Sequence, residues 1–208
     1  MNTMRIQALQ KPARARRIAR EIASITILIV TVLAARSTLA DHYHVPSGSM
    51  EPTLKAGDRV VVDKRAFGLR VPFTQIHLTR GEDVAAGEVV IFDSPRDGKR
   101  LIKRIVAVGG DTVAISNGRL VVNGRPLALP GEDNIELIGD RIVSLNLDHG
   151  GGPNIEQLIP AGKLLAVGDH RGNSLDGRMF GLIDQESVYG RAIAVYYRSN
   201  DGFVWNSL

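Results

Sequence analysis

The stretch LIKRIVAVGGDTVAISNGRLVV, residues 101–122, alternates short apolar runs with turns, and its reading decides the fold class. Residues 101–108 are rich in β-branched side chains, and Gly109-Gly110-Asp111 interrupts them before a second run at 112–116. Asn117-Gly118 then separates that run from a third at 119–122. Asn-Gly between two such runs is a two-residue hairpin signal, because these residues accept the backbone conformation a tight hairpin turn imposes. The pattern continues in both directions, with β-rich runs at 59–63, 88–92, 141–145, 163–167 and 191–197. Ala56-Gly57-Asp58, Asn123-Gly124, Gly150-Gly151-Gly152 and Asn200-Asp201-Gly202 punctuate them. Many short strands divided this way predict a mainly β fold, an antiparallel barrel-like or sandwich-like domain. Residues 124–160 are more polar and irregular, and read as an inserted small subdomain.

The 22 glycines are spread along all 208 residues, which fits turns between strands better than a low-complexity tract. Hydrophobic residues at 44% and charged residues at 23% exclude a disordered chain. With no cysteine, neither a disulfide scaffold nor a thiolate metal site is possible, and the compartment stays open.

Before the β region, Arg5, Lys11, Arg14, Arg16, Arg17 and Arg20 form a basic stretch with no acidic residue until Glu21. A nucleic-acid arm is one reading of such a run, but the uncharged apolar run at 22–35 that follows makes another reading better. Its 14 residues span about 21 Å as a helix, short of a hydrocarbon core of about 30 Å. Extension to Ala40 takes in Arg36, whose guanidinium can snorkel to the interface. Three readings compete: a signal peptide cleaved after Thr38-Leu39-Ala40, a retained transmembrane anchor over 22–40, or a buried core helix. The positive-inside rule puts the basic tail, 1–21, in the cytoplasm and residues 41–208 outside it. The retained anchor is adopted here on the strength of the motif that follows it.

Three stretches carry candidate chemistry. Val45-Pro46-Ser47-Gly48-Ser49-Met50-Glu51-Pro52-Thr53-Leu54 combines two prolines with a glycine, a rigid backbone able to present a hydroxyl. Its plain alternative is an ordinary turn, since a serine is a poor nucleophile without a nearby base. In Arg100-Leu101-Ile102-Lys103-Arg104-Ile105, strand alternation puts Lys103 on one face with Leu101 and Ile105. Burial there would disfavour the ammonium form and leave an amine able to take a proton. The alternative is a lysine snorkelling to water, with Arg104 on the opposite face as a structural or solvent-exposed residue. Gly168-Asp169-His170-Arg171-Gly172-Asn173-Ser174-Leu175-Asp176-Gly177-Arg178 reads alone as a hydrogen-bonded loop, with Asp176 and Arg178 placed to pair.

In order and spacing these stretches resemble the bacterial type I signal peptidases. The resemblance begins at Glu21 and the apolar run and passes through the Ser47–Leu54 wording to Gly57-Asp58. It continues through Gly87-Glu88-Val89-Val90-Ile91-Phe92, Lys103-Arg104 and Gly110-Asp111 to the 168–178 loop. It implies a Ser–Lys dyad serine protease that removes signal peptides from exported preproteins after Ala-x-Ala. Ser49 would be the nucleophile and Lys103 the general base, with the Ser49 backbone N–H and the Ser47 hydroxyl as the oxyanion hole. Ser174 would hydrogen-bond Lys103, Asp176 and Arg178 would brace the loop, and Met50 would keep the pair dry. The implied partners are signal peptides and the lipid bilayer, with no nucleic acid and no cofactor or metal. The implied location is the bacterial inner membrane, single-pass, with a cytoplasmic amino terminus. The sequence departs from the family's usual wording at His170, Gly172 and Gly177.

Other readings stay available on the residues alone. His42, His44, His77, His149 and His170 offer a Ser-His-Asp protease, without a Gly-x-Ser-x-Gly elbow, and His170 beside Asp169 is its best candidate. No His-Glu-x-x-His spacing is present. A pilin or conjugation-system peptidase and a self-cleaving repressor share the dyad, though the region before the anchor is too short for a DNA-binding domain. A membrane-tethered β-domain that binds peptides is the non-enzyme alternative.

Overall fold

The computed structural model describes residues 3–38, 40–68, 78–79 and 81–208. The expectations for Leu39, His77 and the Arg36 side chain lie outside what it describes. The first element, α1 (Thr3–Thr38), leads into β1 (Ala40–His44), β2 (Arg59–Asp63), β3 (Val89–Asp93) and β4 (Arg100–Val108). Next come β5 (Thr112–Ser116), β6 (Arg119–Val122), β7 (Arg125–Pro126), β8 (Ile135–Ile138), β9 (Arg141–Ser144) and β10 (Ile155–Leu158). The chain closes with β11 (Lys163–Val167), α2 (Gly177–Phe180), β12 (Ile183–Asp184), β13 (Val188–Arg198) and β14 (Gly202–Ser207).

Every pairing between these strands is antiparallel. The main sheet runs β1-β2-β13-β3-β4-β11-β12, with β14 added on β13. A smaller sheet runs β10-β5-β6-β7, and β8 and β9 form a hairpin of their own. Asn117 and Gly118 take φ of 48° and 79°, the left-handed pair that a two-residue hairpin needs, and β5 and β6 pair in register from Val113↔Val122 to Ser116↔Arg119. The polar stretch 124–160 holds more regular structure than its composition announces: β7 extends the small sheet, and β10 returns to pair with β5.

Central β4, between β3 and β11, is buried on both faces, so Ile102 and Ile105 pack into different clusters. Ile102 joins Val45, Met50, Leu54 and Val60, whereas Ile105 joins Phe92, Leu164 and Val188. A third cluster, around Val113, Ile115, Leu120, Ile138 and Leu165, joins the small sheet to the far end of β4 and β11. Strand β1 was not expected, since the anchor was drawn through Ala40. The helix stops at Thr38, and Ala40 already pairs with Asp63. Among the described residues no helix is long and apolar enough to cross a membrane.

Core and surface positions of the small sheet separate by substitution. Leu120 is 1% exposed and Leu158 is 64% exposed. Leu120→Ala is expected to lower unfolding free energy by about 2–5 kcal/mol in urea. Leu158→Ala should stay within about 0.5 kcal/mol of the parent. Equal losses would mean that the small sheet does not share the core.

Candidate active site

Ser49 lies in a single 3₁₀ turn, Gly48–Met50, just after β1. Met50 and Leu54 are fully buried below it and fix its base in the core. The approach is tied down by backbone bonds, Val45 N–H to Asp58 O and Gly57 N–H to Val45 O, both 2.9 Å. The peptide between Glu51 and Pro52 is cis. Ser49 thus sits at the end of a short rigid arm, with its hydroxyl aimed at β4.

Lys103 Nζ lies 2.5 Å from Ser49 Oγ. Lys103 is only 3% exposed, and its strand neighbours Leu101 and Ile105 both pack with the Phe92 cluster, as alternation predicts. Burial lowers the Lys103 pKa from 10.5 to about 8, working against the upward pull of Asp176 and Asp169 and with the push of Arg178. An amine at this pKa is neutral in an appreciable fraction near neutral pH and touches the hydroxyl it would deprotonate. Ser47 Oγ stands 3.4 Å from Ser49 Oγ on the exposed side.

The 168–178 loop forms the wall behind this pair. Asp176 accepts from Gly168 N–H at 3.0 Å and from Arg178 Nε and Nη2 at 2.8 Å each. Arg178 reaches on to the carbonyls of Gly151 and Arg171, at 2.7 Å each. The bracing expected of Asp176 and Arg178 is therefore a buried ion pair tied to three separate pieces of backbone. Gly168 admits no side chain, since a Cβ would lie 2.3 Å from Ser174 Oγ and 2.4 Å from Ser49 O. That close approach sets the loop against the Ser49 turn.

One open reading is resolved and one expectation needs correction. Of the two readings of Arg104, structural or solvent-exposed, the structure shows the first, with the residue buried. Its Nε and Nη2 hold Asp169 at 2.9 and 2.7 Å, and its Nη1 donates to Gly87 O at 2.7 Å. The expected bond from Ser174 to Lys103 is absent, and Ser174 Oγ is buried with no hydrogen-bond partner among the described residues. Thr53, which the sequence reading passed over, donates to Asp169 Oδ2 at 2.6 Å. A buried charge needs a partner, so a carboxylate beside the glycine of this loop was the available signal for Arg104.

Asp169 is thus committed to Arg104 and Thr53. The His170 ring nitrogens are buried without partners among the described residues, so a Ser-His-Asp relay lacks both of its hydrogen bonds there. The ring instead stacks on His149 at 5.8 Å. Gly172 has its own packing reason, since a Cβ there would lie 2.0 Å from Asp148 O. A cleft lined by Phe67, Glu82, Asp184 and Glu186 contains neither Ser49 nor Lys103. Among the described residues no three His, Cys, Asp or Glu side chains converge as a metal site.

Comparison with known proteins adds to this geometry. The family described as "Signal peptidase, peptidase S26" matches residues 18–197. Signal peptidase I of Pseudomonas aeruginosa is 32% identical over 195 residues, which cover 81% of this chain and 69% of that protein. Signal peptidase I of Pseudomonas fluorescens is 31% identical, with the same two coverages. Signal peptidase I of Leptolyngbya laminosa is 28% identical over 86% of this chain and 79% of its own.

The buried Asp176–Arg178 pair yields a stability test. Asp176→Asn leaves Arg178 charged and without its carboxylate, and should cost about 3–5 kcal/mol in urea unfolding. Asp176→Leu combined with Arg178→Met removes both charges and should cost less than Asp176→Asn alone. A double variant worse than the single one would show that the loop needs the charges themselves.

Proposed function

Because the chain belongs to the peptidase S26 family of signal peptidases, it is a serine endopeptidase of signal-peptide processing, and we propose that Ser49 is its nucleophile and Lys103 its general base. One observation carries this reading: a lysine amine buried on β4 lies 2.5 Å from a serine hydroxyl on a rigid turn. Neutral Lys103 takes the Ser49 proton as Oγ attacks the scissile carbonyl, and the new ammonium returns that proton to the leaving amine. Lys103 then deprotonates the water that hydrolyses the ester. The Ser49 N–H and Ser47 Oγ face the developing oxyanion, each such donor typically contributing about 10²–10³ in rate. Met50 closes the turn from below, and Ser174, Asp176 and Arg178 shape the wall behind Lys103. Every step uses groups of the chain itself, so the mechanism calls for no cofactor.

The substrate in this reading is the end of a signal peptide, extended along exposed strand edges and cut after Ala-x-Ala. Main-chain bonds give affinity and shallow pockets select small side chains. Residues 1–21 form the cytoplasmic tail, α1 from Ile22 to Thr38 the anchor, and the chain from Ala40 onward the extracytoplasmic catalytic domain, at a bacterial inner membrane. Support for the anchor comes from α1, where Ile22, Ile25, Leu28, Ile29, Val32 and Leu33 are all exposed. Two hydroxyls within this band return to the helix, Ser24 to Arg20 O at 2.9 Å and Thr31 to Ile27 O at 2.8 Å, which lowers the cost of placing them in lipid.

In detergent, the protein should cleave an Ala-x-Ala peptide after its final Ala, and Ser49→Ala and Lys103→Ala should each lose at least about 10³-fold. Because the base acts when neutral, log kcat/KM should rise with unit slope below about pH 8 and level off above it. Cleavage after Ala by both variants would remove the dyad, and a flat profile from pH 6 to 9 would remove Lys103 as base.

The anchor is tested separately with vesicles of anionic phospholipid. The full chain should float with them and resist carbonate extraction, and a chain lacking residues 1–37 should remain in the soluble fraction. Full extraction of the intact chain would replace a spanning anchor with a surface association.

A further inference from the structure

Glu136 lies on β8, within the stretch that the mechanism leaves without a role. The hairpin turns Leu137 and Ile142 outward, while Glu136 points inward and is as buried as any core residue. Its Oε1 accepts the Leu120 N–H at 2.7 Å, and its Oε2 pairs with Arg171 Nη2 at 2.7 Å. Arg171 is fully buried, and its Nη1 donates to Gly118 O. The backbone of Arg171 is held as firmly as its side chain. Its N–H donates to Asn146 O at 2.8 Å, and its carbonyl accepts from Arg178 Nη2 at 2.7 Å. The neighbouring residue reaches the site, since His170 N–H donates to Ser49 O at 3.2 Å.

We propose that Glu136 is a positioning residue for the cleavage reaction, fixing the 168–178 loop through Arg171 and so the Ser49 carbonyl against Lys103. The inference rests on the Ser49–Lys103 reading and extends it to a strand that does not touch the pair. A charged pair with no solvent access has one good arrangement, because each partner's remaining hydrogen bonds are to backbone at fixed positions. The loop has little apolar mass of its own, and Leu175 is partly exposed, so this arrangement sets where the loop lies. The role is positional and not a through-space effect of charge, because the charges that act on Lys103 are those of Asp176, Asp169 and Arg178.

The test is steady-state cleavage of the Ala-x-Ala peptide by Glu136→Gln, Arg171→Met and the double variant, each normalised to the folded fraction measured by circular dichroism at the assay temperature. Gln keeps the acceptor for Leu120 but removes the charge that holds Arg171. Misplacement of reacting groups by about 1 Å can cost about 100-fold. Glu136→Gln should therefore lower kcat by roughly 10- to 100-fold, with KM changed less than about threefold and the pH midpoint still near 8. The double variant should lose no more than Arg171→Met alone, since the two act as one unit. Four results would each overturn the proposal: unchanged kcat, a loss confined to KM, a moved pH midpoint, or multiplicative losses in the double variant. A loss that vanishes on correction for folded fraction would do the same by reducing Glu136 to a stability role. Ser49→Ala in the same assay separates the two levels. If it still cleaves, the dyad reading fails; if it is inert while Glu136→Gln is normal, only the role of Glu136 fails.

Discussion

Desolvation of one amine organises the rest of this structure. Lys103 sits on a strand buried on both faces, and among the described residues no carboxylate pairs with it. Two carboxylates lie near enough to act on it, but each is already matched, Asp169 to Arg104 and Asp176 to Arg178. Both still pull the Lys103 pKa up, but the cost of burying an ammonium ion is the larger effect and prevails. The pKa of about 8 is the outcome of that contest. Arg178, a neighbouring cation, pushes the Lys103 pKa down, so it favours the neutral amine as well as shaping the loop.

This explains why so many charges are buried in one place. Arg104, Arg171 and Arg178 each pair with a carboxylate that is itself inaccessible to water. Such pairs are weak sources of stability, because desolvation consumes much of what the attraction returns. Their value lies in direction. A guanidinium presents its donors in a fixed fork, so each pair fixes two backbone segments relative to one another. Arg104 ties β4 to the start of the 168–178 loop, Arg178 ties the loop to Gly151, and Arg171 ties it to Gly118 and β8. A loop held by polar contacts from several sides can present a glycine where any larger residue would collide with Ser49.

The strands were legible where local chemistry decides. Thr112–Ser116, Arg119–Val122 and Lys163–Val167 end where their turn residues predicted, because Asn-Gly and Gly-rich turns act within two or three residues. Strands whose identity depends on a partner were not legible. Ala40–His44 is polar and becomes a strand by pairing with β2, and Ile155–Leu158 becomes one by returning to β5. Arg104 stayed open between a structural and a solvent-exposed role because alternation says which residues share a face, while only the sheet order says whether both faces are covered. The Ser49–Lys103 contact was anticipated through resemblance, since 54 residues separate them and no local rule joins them. The hydroxyl of Ser174 lies against Gly168 and makes no bond to Lys103, a detail of side-chain packing that sequence alone does not resolve.

The path from helix to nucleophile adds a last constraint. Helix α1 ends at Thr38 and β1 begins at Ala40. Strand β1 pairs along its whole length with β2, and the chain beyond it is fastened at Val45 before turning at Gly48. Ser49 is thus joined to the helix by a braced strand of fixed length. With α1 inserted as proposed, strand β1 and the fastened turn would set how far the hydroxyl stands from the bilayer. A substrate tethered by its own apolar segment meets it in the same plane, where tethering replaces a bimolecular encounter by an effectively intramolecular one. Selection by small side chains alone would be a loose criterion in solution. In the proposed arrangement such a height would add a second criterion, the distance of the cleavage point from the end of the substrate's apolar segment, and the two together would narrow the choice in a way that shallow pockets could not.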